Sequence, residues 1–143
     1  MNMPDKSRRS ACPITYTIDI IGDRWAMLII RDIILTEKSY FGDFANSEEG
    51  IATNVLTNRL KRLEDQGIIS KEQDKIKLSK YIYRLTDMGL DLLPIMIEMI
   101  LFACKHDQQQ PAALKDFLAK IKRNKNEFIK NLRKKQKRQL HRQ

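Results

Sequence analysis

Apolar residues in the first half of the chain recur at the three- and four-residue spacing of helices. They do so in four segments, at residues 14–21, 24–35, 40–46 and 53–66. Gly22 and Gly67 follow the first and the last of these segments, where glycine commonly ends a helix. A turn at residues 48–50 separates the third segment from the fourth, which has the clearest helical pattern.

The second half begins with a pattern that alternates at strand spacing. Residues 68–71 and 81–85 read as two strands on either side of a charged stretch at 72–80. Thr86 is then placed to cap a long helix at 87–104, with Asp87 favourable in its first turn. After an interruption at 108–111, residues 112–138 form a last helix. The predicted class is mainly α with a small β-hairpin (α+β), a winged helix-turn-helix followed by long C-terminal helices.

The helix at 53–66 has two faces of different chemistry. Val55, Leu56, Leu60 and Leu63 share one side, and amides, a hydroxyl and an amine share the other. Such outward groups can read base edges in the major groove of duplex DNA. The alternative is an ordinary solvated helix face. The residues of this helix that we predict to contact DNA are Thr53, Asn54, Thr57, Asn58, Lys61 and Arg62.

The hairpin offers a second set of cations. Lys77 and Lys80 stand on its descending side, whereas Glu72 and Asp74 dilute the positive charge on the ascending side. We therefore predict that Lys77 and Lys80 contact phosphates. A charged, merely solvated hairpin is the alternative.

Charge is distributed unevenly along the 143 residues. The formal net charge is +9, but residues 1–119 sum to −1 and residues 120–143 to +10. The basic character thus belongs to the C-terminal part, and we divide the chain into a DNA-binding and dimerisation domain at 1–107 and a basic amphipathic extension at 108–143. Residues 1–10 lack the apolar segment of a secretory signal, and the run at 92–104 is too short to span a bilayer. The expected location is the cytoplasm, with no membrane partner.

An enzyme is the main rival class, and the sequence lacks its parts. His106 and His141 lie in polar segments, the five glycines form no phosphate loop, and no paired carboxylates share an apolar face. Cys12 and Cys104 are too few for a cysteine zinc site or a disulfide framework. We predict no catalytic site, no cofactor and no metal. A third class is a nucleic-acid or partner-binding protein that acts only through its basic tail.

Several short motifs occur in an order and spacing that resemble one family, the HxlR-type winged helix-turn-helix regulators. They are Cys12-Pro13, IIGDRW at 20–25, LIIR at 28–31, FGDF at 41–44, GIATNVLTNRLKRLE at 50–64, GII at 67–69, YRLTDMG at 83–89 and LLP at 92–94. The resemblance covers residues 12–104. It implies a homodimeric repressor or activator with residues 53–64 as recognition helix and 72–80 as wing. From the order of the helices and the apolar segment at 87–104 we predict that the dimer binds an inverted-repeat operator.

By the same resemblance, the helices at 14–21 and 87–104 form the dimer. The second of them has almost no polar face, which suits an interface, although a fully buried core helix is the alternative. The residues that we predict at the dimer interface are Ile18, Ile21, Leu93, Ile97, Ile100 and Leu101. The sequence departs from the family at Ala52, where serine is usual, in the wing, which lacks the usual Pro-Pro, and in its longer C-terminal part.

Cys12 is a candidate redox sensor, since some family members carry a sensing cysteine at this position. It precedes a helix start with Pro13 at the first position and has Lys6, Arg8 and Arg9 nearby, features that lower a thiol pKa. The alternative is a small buried residue in the dimer interface. An unknown small molecule or an electrophile is the expected effector.

The C-terminal extension repeats apolar residues at helical spacing. They are Leu114, Phe117, Leu118, Ile121, Phe128, Ile129 and Leu132. Packing against a dimer partner is our first interpretation, and docking on a membrane surface or an acidic partner is the second. The basic end at 133–142 is either an arm that grips phosphate or a solvated charge run.

Overall fold

The structure is a computed structural model that describes residues 8–140. Its elements run in the order α1 Pro13–Ile21, α2 Ala26–Leu35, α3 Phe41–Ala45, α4 Thr53–Asp65, β1 Ile69–Gln73, β2 Tyr81–Leu85, α5 Asp87–Leu90, α6 Leu93–His106, α7 Leu114–Arg123 and α8 Lys125–Leu140. The predicted class is confirmed, because three helices precede α4, a two-stranded antiparallel hairpin follows it, and helices complete the described chain.

The hairpin is joined to the segment before α3 along the free edge of β2. β1 and β2 pair in an antiparallel register that runs from Ile69 opposite Leu85 to Gln73 opposite Tyr81. On its other edge, Tyr83 donates its backbone N–H to the carbonyl oxygen of Ser39, at 2.8 Å, just before α3. The hairpin is therefore fixed to the segment that leads into the helix-turn-helix.

One apolar core lies between α2, α4, the hairpin and the start of α6. Its fully buried members include Ile30, Ile34, Phe44, Leu56, Leu63, Ile68, Leu85, Leu90 and Leu93. Burial of this kind stabilises a fold by about 25 cal/mol per Å² of apolar surface, so the core is the main source of stability.

Glycine is required at two places next to this core. At Gly67 (φ +76°) α4 ends in a Schellman motif, in which Ile68 N–H donates to Leu63 and Gly67 N–H to Glu64, each at 2.9 Å. This turn directs the chain into β1. At Gly89 a Cβ atom would lie 2.2 Å from the carbonyl oxygen of Ile68, because α5 crosses the hairpin there at close range.

The single helix predicted at 87–104 is wrong in one respect, since the structure divides it into α5 and α6. The chain turns at Asp91 and Leu92, and Pro94 lies in the first turn of α6. Proline lacks a backbone N–H and its ring clashes with the preceding turn of a continuing helix, but it fits the first turn of a new one.

The single helix predicted at 112–138 is also two helices, α7 and α8. Asn124 between them is extended (φ −161°, ψ 95°), and its Oδ1 accepts from the backbone N–H of Glu127 at 3.1 Å. The Glu127 carboxylate in turn accepts from the Asn124 amide at 3.3 Å. Asparagine followed three residues later by glutamate is an N-terminal capping signal that the apolar spacing did not show.

Helix α8 packs on its own chain. Our first interpretation of the extension, packing against a dimer partner, stays a prediction. Among residues 8–140, four ion pairs join α8 to the rest of the chain: Lys125–Glu98, Arg133–Asp91, Lys135–Glu37 and Lys137–Asp87. Ile129 and Leu132 rest against the core, and the buried Gln136 donates to the carbonyl of Ile33 at 3.4 Å. Of the basic end at 133–142, residues 141 and 142 lie outside the described part.

None of the helices within 8–140 has the length and apolar character needed to cross a membrane.

Candidate nucleic-acid interface

Helices α3 and α4 form a helix-turn-helix with a rigid start. The Asp43 carboxylate accepts from the backbone N–H groups of Ser39 and Tyr40, at 3.3 and 3.1 Å, and this fixes the first turn of α3. In the turn that follows, Gly50 adopts a positive φ of 68°, and Ile51 is buried. The exposed side of α4 is thereby directed away from the core.

The outward side of α4 contains the residues that the sequence analysis singled out. Leu56, Leu60 and Leu63 are buried, and α4 begins at Thr53 with Ala52 as an N-cap that offers no side-chain hydrogen bond. The exposed residues on the opposite side line a shallow groove and include Asn54, Thr57, Asn58, Lys61 and Arg62. Their contact with DNA stays a prediction.

The two asparagines of this face, Asn54 and Asn58, differ in which side-chain hydrogen-bonding groups remain free for DNA. Asn58 Oδ1 accepts from Arg59 Nη1 at 2.7 Å, and Arg59 Nε lies 3.1 Å from Asp23 Oδ1 at the start of α2. Asn58 therefore offers mainly its amino group. Asn54 has no side-chain hydrogen bond within the described part of the chain, so its whole amide is available to pair with a base edge.

Arg62 connects α4 to α1. Its Nη2 donates to the backbone carbonyl of Asp19 at 2.6 Å, across 43 positions of sequence. We expected this guanidinium to face DNA. Its bond to α1 was not predictable, because amphipathic spacing carries no information about a carbonyl on a helix distant in sequence. Lys61 has a looser partner in Asp65, at 3.4 Å on the same helix.

Asp74 organises the turn of the wing, a role beyond the dilution of positive charge expected from the sequence. Its side chain is 6% exposed; Oδ1 accepts from the N–H groups of Ile76 and Lys77, at 2.8 and 3.1 Å. Oδ2 accepts from the Tyr40 hydroxyl at 2.5 Å. The Tyr40 hydrogen bond, with these backbone bonds, lowers the pKa of Asp74 to about 2, and the carboxylate raises the pKa of Tyr40.

Lys77 and Lys80 lie together above one aromatic ring. Their Nζ atoms are 5.7 and 5.0 Å from the centroid of Tyr40, in the range of cation–π contacts. Tyr40 thus fixes both the turn of the wing and its two predicted phosphate contacts. It is a site residue that the sequence analysis missed, because its role depends on the hairpin folding back on the start of α3.

Cys12 is exposed and directly precedes α1. The backbone amides of Thr15 and Ile14 lower the pKa of its thiol, and the Thr15 side chain and Arg8 act in the same direction. This is the environment expected of a reactive cysteine. Lys6, which we also placed near Cys12, lies outside the described residues. Cys104 is half-buried at the end of α6, with Gln110 Oε1 4.0 Å from its Sγ.

Two of the predicted dimer residues face the inside of their own chain. Leu93 and Ile97 are fully buried, so they are core residues and offer no surface to a second copy, which corrects the sequence-based assignment. The alternative of a core helix holds for this side of α6. Of the other four, Ile18 is 50% exposed and Ile21, Ile100 and Leu101 are half-buried.

The outer side of α6 and of α1 instead exposes apolar residues that the prediction did not include. They are Ile14, Ile95, Met99 and Phe102, and the exposed fraction reaches 69% at Phe102. Helix α6 thus buries one apolar side in its own chain and exposes another, and dimerisation through the exposed side stays a prediction. Within residues 8–140, no cluster of His, Cys, Asp and Glu is suited to hold a metal ion.

Comparisons with known proteins agree with this geometry. The family model described as HxlR-like helix-turn-helix matches residues 20–111. The HTH-type transcriptional regulator YdeP of Bacillus subtilis is 34% identical over 88 residues, which are 62% of this chain and 68% of YdeP. The HTH-type transcriptional regulator sll1512 of Synechocystis sp. is 30% identical over 88 residues, 62% of this chain and 64% of that relative. The match thus spans a little under two thirds of the Synechocystis protein.

Solved structures give the same picture. The crystal structure of PA1607 superposes with a TM-score of 0.66 and 31% identity and covers 73% of this chain and 72% of that chain. The redox regulator HypR in its reduced form gives 0.61 and 28%, over 68% of this chain and 95% of that chain. The reduced form of the transcriptional regulator YodB from B. subtilis gives 0.55 and 27%, over 71% and 100%.

Proposed function

The chain belongs to the HxlR-like helix-turn-helix family of transcriptional regulators, and from this premise we propose that it binds a specific duplex-DNA operator as a homodimer in the cytoplasm. The observation that carries the proposal is the exposed face of α4, where amides, a hydroxyl and an amine stand between the turn after α3 and the wing. We propose no enzymatic activity.

The two parts of the interface have different tasks in this proposal. Helix α4 enters the major groove, where Asn54 pairs with adenine and Thr57 contacts a thymine methyl or a base edge. Lys77 and Lys80 contact phosphates from the wing, which positions the protein without reading sequence. The hydrogen bonds of Asp74 support this division, because they fix the backbone of the turn that carries Lys77 before DNA is bound.

Dimerisation is proposed through the exposed apolar faces of α1 and α6. Ile14 and Ile18 on α1, with Met99 and Phe102 on α6, are each at least half exposed in the single chain. Exposed apolar residues concentrated on two helices commonly mark an interface. A two-fold dimer places the recognition helices on inverted half-sites about one helical turn, ~34 Å, apart.

Selection of bound fragments from a random duplex library tests this proposal. We expect an inverted repeat, with Asn54→Ala weakening binding to it by about 1–3 kcal/mol and relaxing preference at one base pair. Lys77→Ala is the matched comparison: it should weaken all duplexes alike and reduce the slope of log affinity against log salt by about one unit. No enriched sequence, or a chain that stays monomeric at micromolar concentration, would contradict the proposal.

The rival proposal of a tail-only binder has a simple test. Lys130, Lys134 and Arg138 on α8 are exposed, whereas four other cations of this helix are paired with carboxylates of the same chain. Replacing these three residues with glutamine should leave the sequence preference intact. If it abolishes all DNA affinity while Asn54→Ala changes nothing, the tail is the binding site.

We further propose that Cys12 makes DNA binding responsive to an electrophile or a mild oxidant. Its position before α1 favours the thiolate, and α1 is bonded to the recognition helix through Arg62 and Asp19. A modification at Cys12 that shifts α1 therefore changes the position of α4. We expect that an alkylating reagent releases the native protein from DNA and that Cys12→Ser prevents release while preserving binding. Equal responses of both proteins would show that the thiol is structural.

A further inference from the structure

The tip of the wing exposes apolar side chains where polar residues are usual. Ile76 is 91% exposed and Leu78 is 65% exposed, and both lie between the two strands of the hairpin. Together the two side chains give the tip of the hairpin a small apolar surface that is available to a partner. Neither residue takes part in the DNA contacts proposed above.

The backbone beneath Ile76 is held in place on both sides. The Ile76 N–H donates to Asp74, whose carboxylate is anchored by Tyr40, and Gln73 Nε2 donates to the carbonyl of Leu78 at 2.6 Å. The N–H of Asp74 also donates to the carbonyl of Lys80 at 2.8 Å and closes the loop. The apolar tip is therefore presented by a fixed turn, so that its insertion into a partner loses little conformational entropy.

The charges around Ile76 indicate the chemistry of the partner. Lys75 and Lys77 are its immediate neighbours in sequence and both are exposed, so the apolar residue is flanked by a cation on each side along the chain, with the Nζ of Lys77 5.7 Å from the centroid of the Tyr40 ring. The minor groove of B-DNA is about 6 Å wide, with a row of phosphates along each wall. A tip of two apolar residues is far smaller than the roughly 800 Å² per partner of a stable protein interface.

We propose that Ile76 enters the minor groove of bound DNA as an apolar wedge between base steps, with Lys75 and Lys77 on the phosphates of the two walls. This rests on the proposed function, since the duplex is the one bound by α4. Apolar wedges of this kind partly unstack a step and bend the duplex. The wing thereby adds a preference for flexible pyrimidine–purine steps outside the recognition-helix footprint.

The probe for the test is the duplex that the native protein enriches from a random library. Permanganate oxidises unstacked thymines, so we expect a reactive thymine beside each half-site in the native complex. Ile76→Ala should remove this reactivity and weaken binding roughly tenfold. Ile76→Lys is the sharper variant, since it keeps the attraction to phosphates and removes the wedge. It should bind random duplex at least as well as the native protein and lose the thymine reactivity and the preference for the flexible step.

Controls separate this proposal from the proposed function. Met88→Ala removes an exposed apolar side chain on α5, outside the wing, and should change neither reactivity nor affinity. If the native protein enriches no duplex, the proposed function and the wedge both fail. If it enriches one and both Ile76 variants retain the reactive thymine, the wedge alone is overturned. A photoreactive amino acid at position 76 that cross-links to a second copy of the chain, and not to DNA, would overturn it as well.

Discussion

The winged-helix body, residues 13–106, and the C-terminal arm, residues 114–140, are held in place by different forces. The body has a continuous apolar core with most of its large side chains fully buried. Among the described residues of the arm, Ile121 and Gln136 alone are buried, while four ion pairs connect α8 to the body. The body is thus shaped by extensive burial, whereas the arm combines a few contacts with the core, through Ile129, Leu132 and Gln136, with exposed ion pairs.

This difference determines how strongly each region is stabilised and how each region responds to salt. Burial of apolar surface is insensitive to salt and forms a cooperative unit, whereas an exposed ion pair contributes at most about 1 kcal/mol and is screened by ions. The arm is therefore expected to open locally while the body stays folded.

Leu60→Ala should produce the largest effect. Leu60 is 2% exposed on the inner side of α4, and truncation of a buried leucine costs about 2–5 kcal/mol of unfolding free energy. Leu118→Ala in the half-buried part of α7 is the matched comparison and should cost less than half as much. Urea unfolding followed by circular dichroism measures both. Equal losses would mean that the arm is part of the same core.

Charge reversal on the body should loosen the arm alone. Glu98 pairs with Lys125 at 2.6 Å at the start of α8. In Glu98→Lys we expect hydrogen exchange of the α8 amides to accelerate severalfold, while the unfolding free energy of the body changes by less than about 1 kcal/mol.

The swapped pair Glu98→Lys with Lys125→Glu should restore the slow exchange, because the attraction is re-formed with opposite sign. If the swap does not rescue α8, the ion pair does not set the position of the arm.

Salt should separate the two regions in the native protein. The Debye length shortens from about 10 Å at 0.1 M to about 3 Å at 1 M, which screens exposed pairs such as Lys135–Glu37. We expect faster hydrogen exchange in α8 over this range and unchanged exchange at the buried positions of α4. Parallel acceleration in both helices would contradict the separation.

Acid should produce a small effect in the body. The Arg31 guanidinium lowers the pKa of Glu49 from 4.5 to about 2, with Oε1 2.6 Å from Nη1. A depressed carboxyl pKa stabilises the folded state above pH 4.5, and this contribution is lost as the pH falls toward 2. Urea midpoints of Glu49→Gln should therefore fall less between pH 5 and pH 3 than those of the native protein. An equal fall in both proteins would remove this pair as a contributor.

The sequence predicts the body well because the apolar spacing that is visible in the sequence also drives the burial that forms the core. Leucines at 56, 60 and 63 share one side of α4 and are buried there, and Thr86 caps α5 through the N–H of Gly89 at 3.1 Å, as expected. Leu93 and Ile97 were misassigned because an almost wholly apolar helix has no polar face, so its sequence does not show which side packs against the core.

The arm and the wing were less predictable because their partners are distant in sequence. The carboxylates that receive α8 come from positions 37, 87, 91 and 98, and only the folded body brings them to one side. Asp74 is similar, since its partner Tyr40 is 34 positions away. Charge composition shows that such groups exist but not which of them meet.

The close approach at Gly89 couples the sequence of α5 to that of the hairpin. The Cβ atom of any other residue at this position would push the carbonyl of Ile68 away. A Cβ atom at Gly42 on α3 would meet no atom of a neighbouring element within 4 Å, so Gly42 should accept alanine. A relative that replaced Gly89 would have to reshape the strand as well, so the two are expected to change together or not at all. For protein engineering, the consequence is a rule for grafting: a wing exchanged between relatives should be cut after α5 rather than at the end of β2.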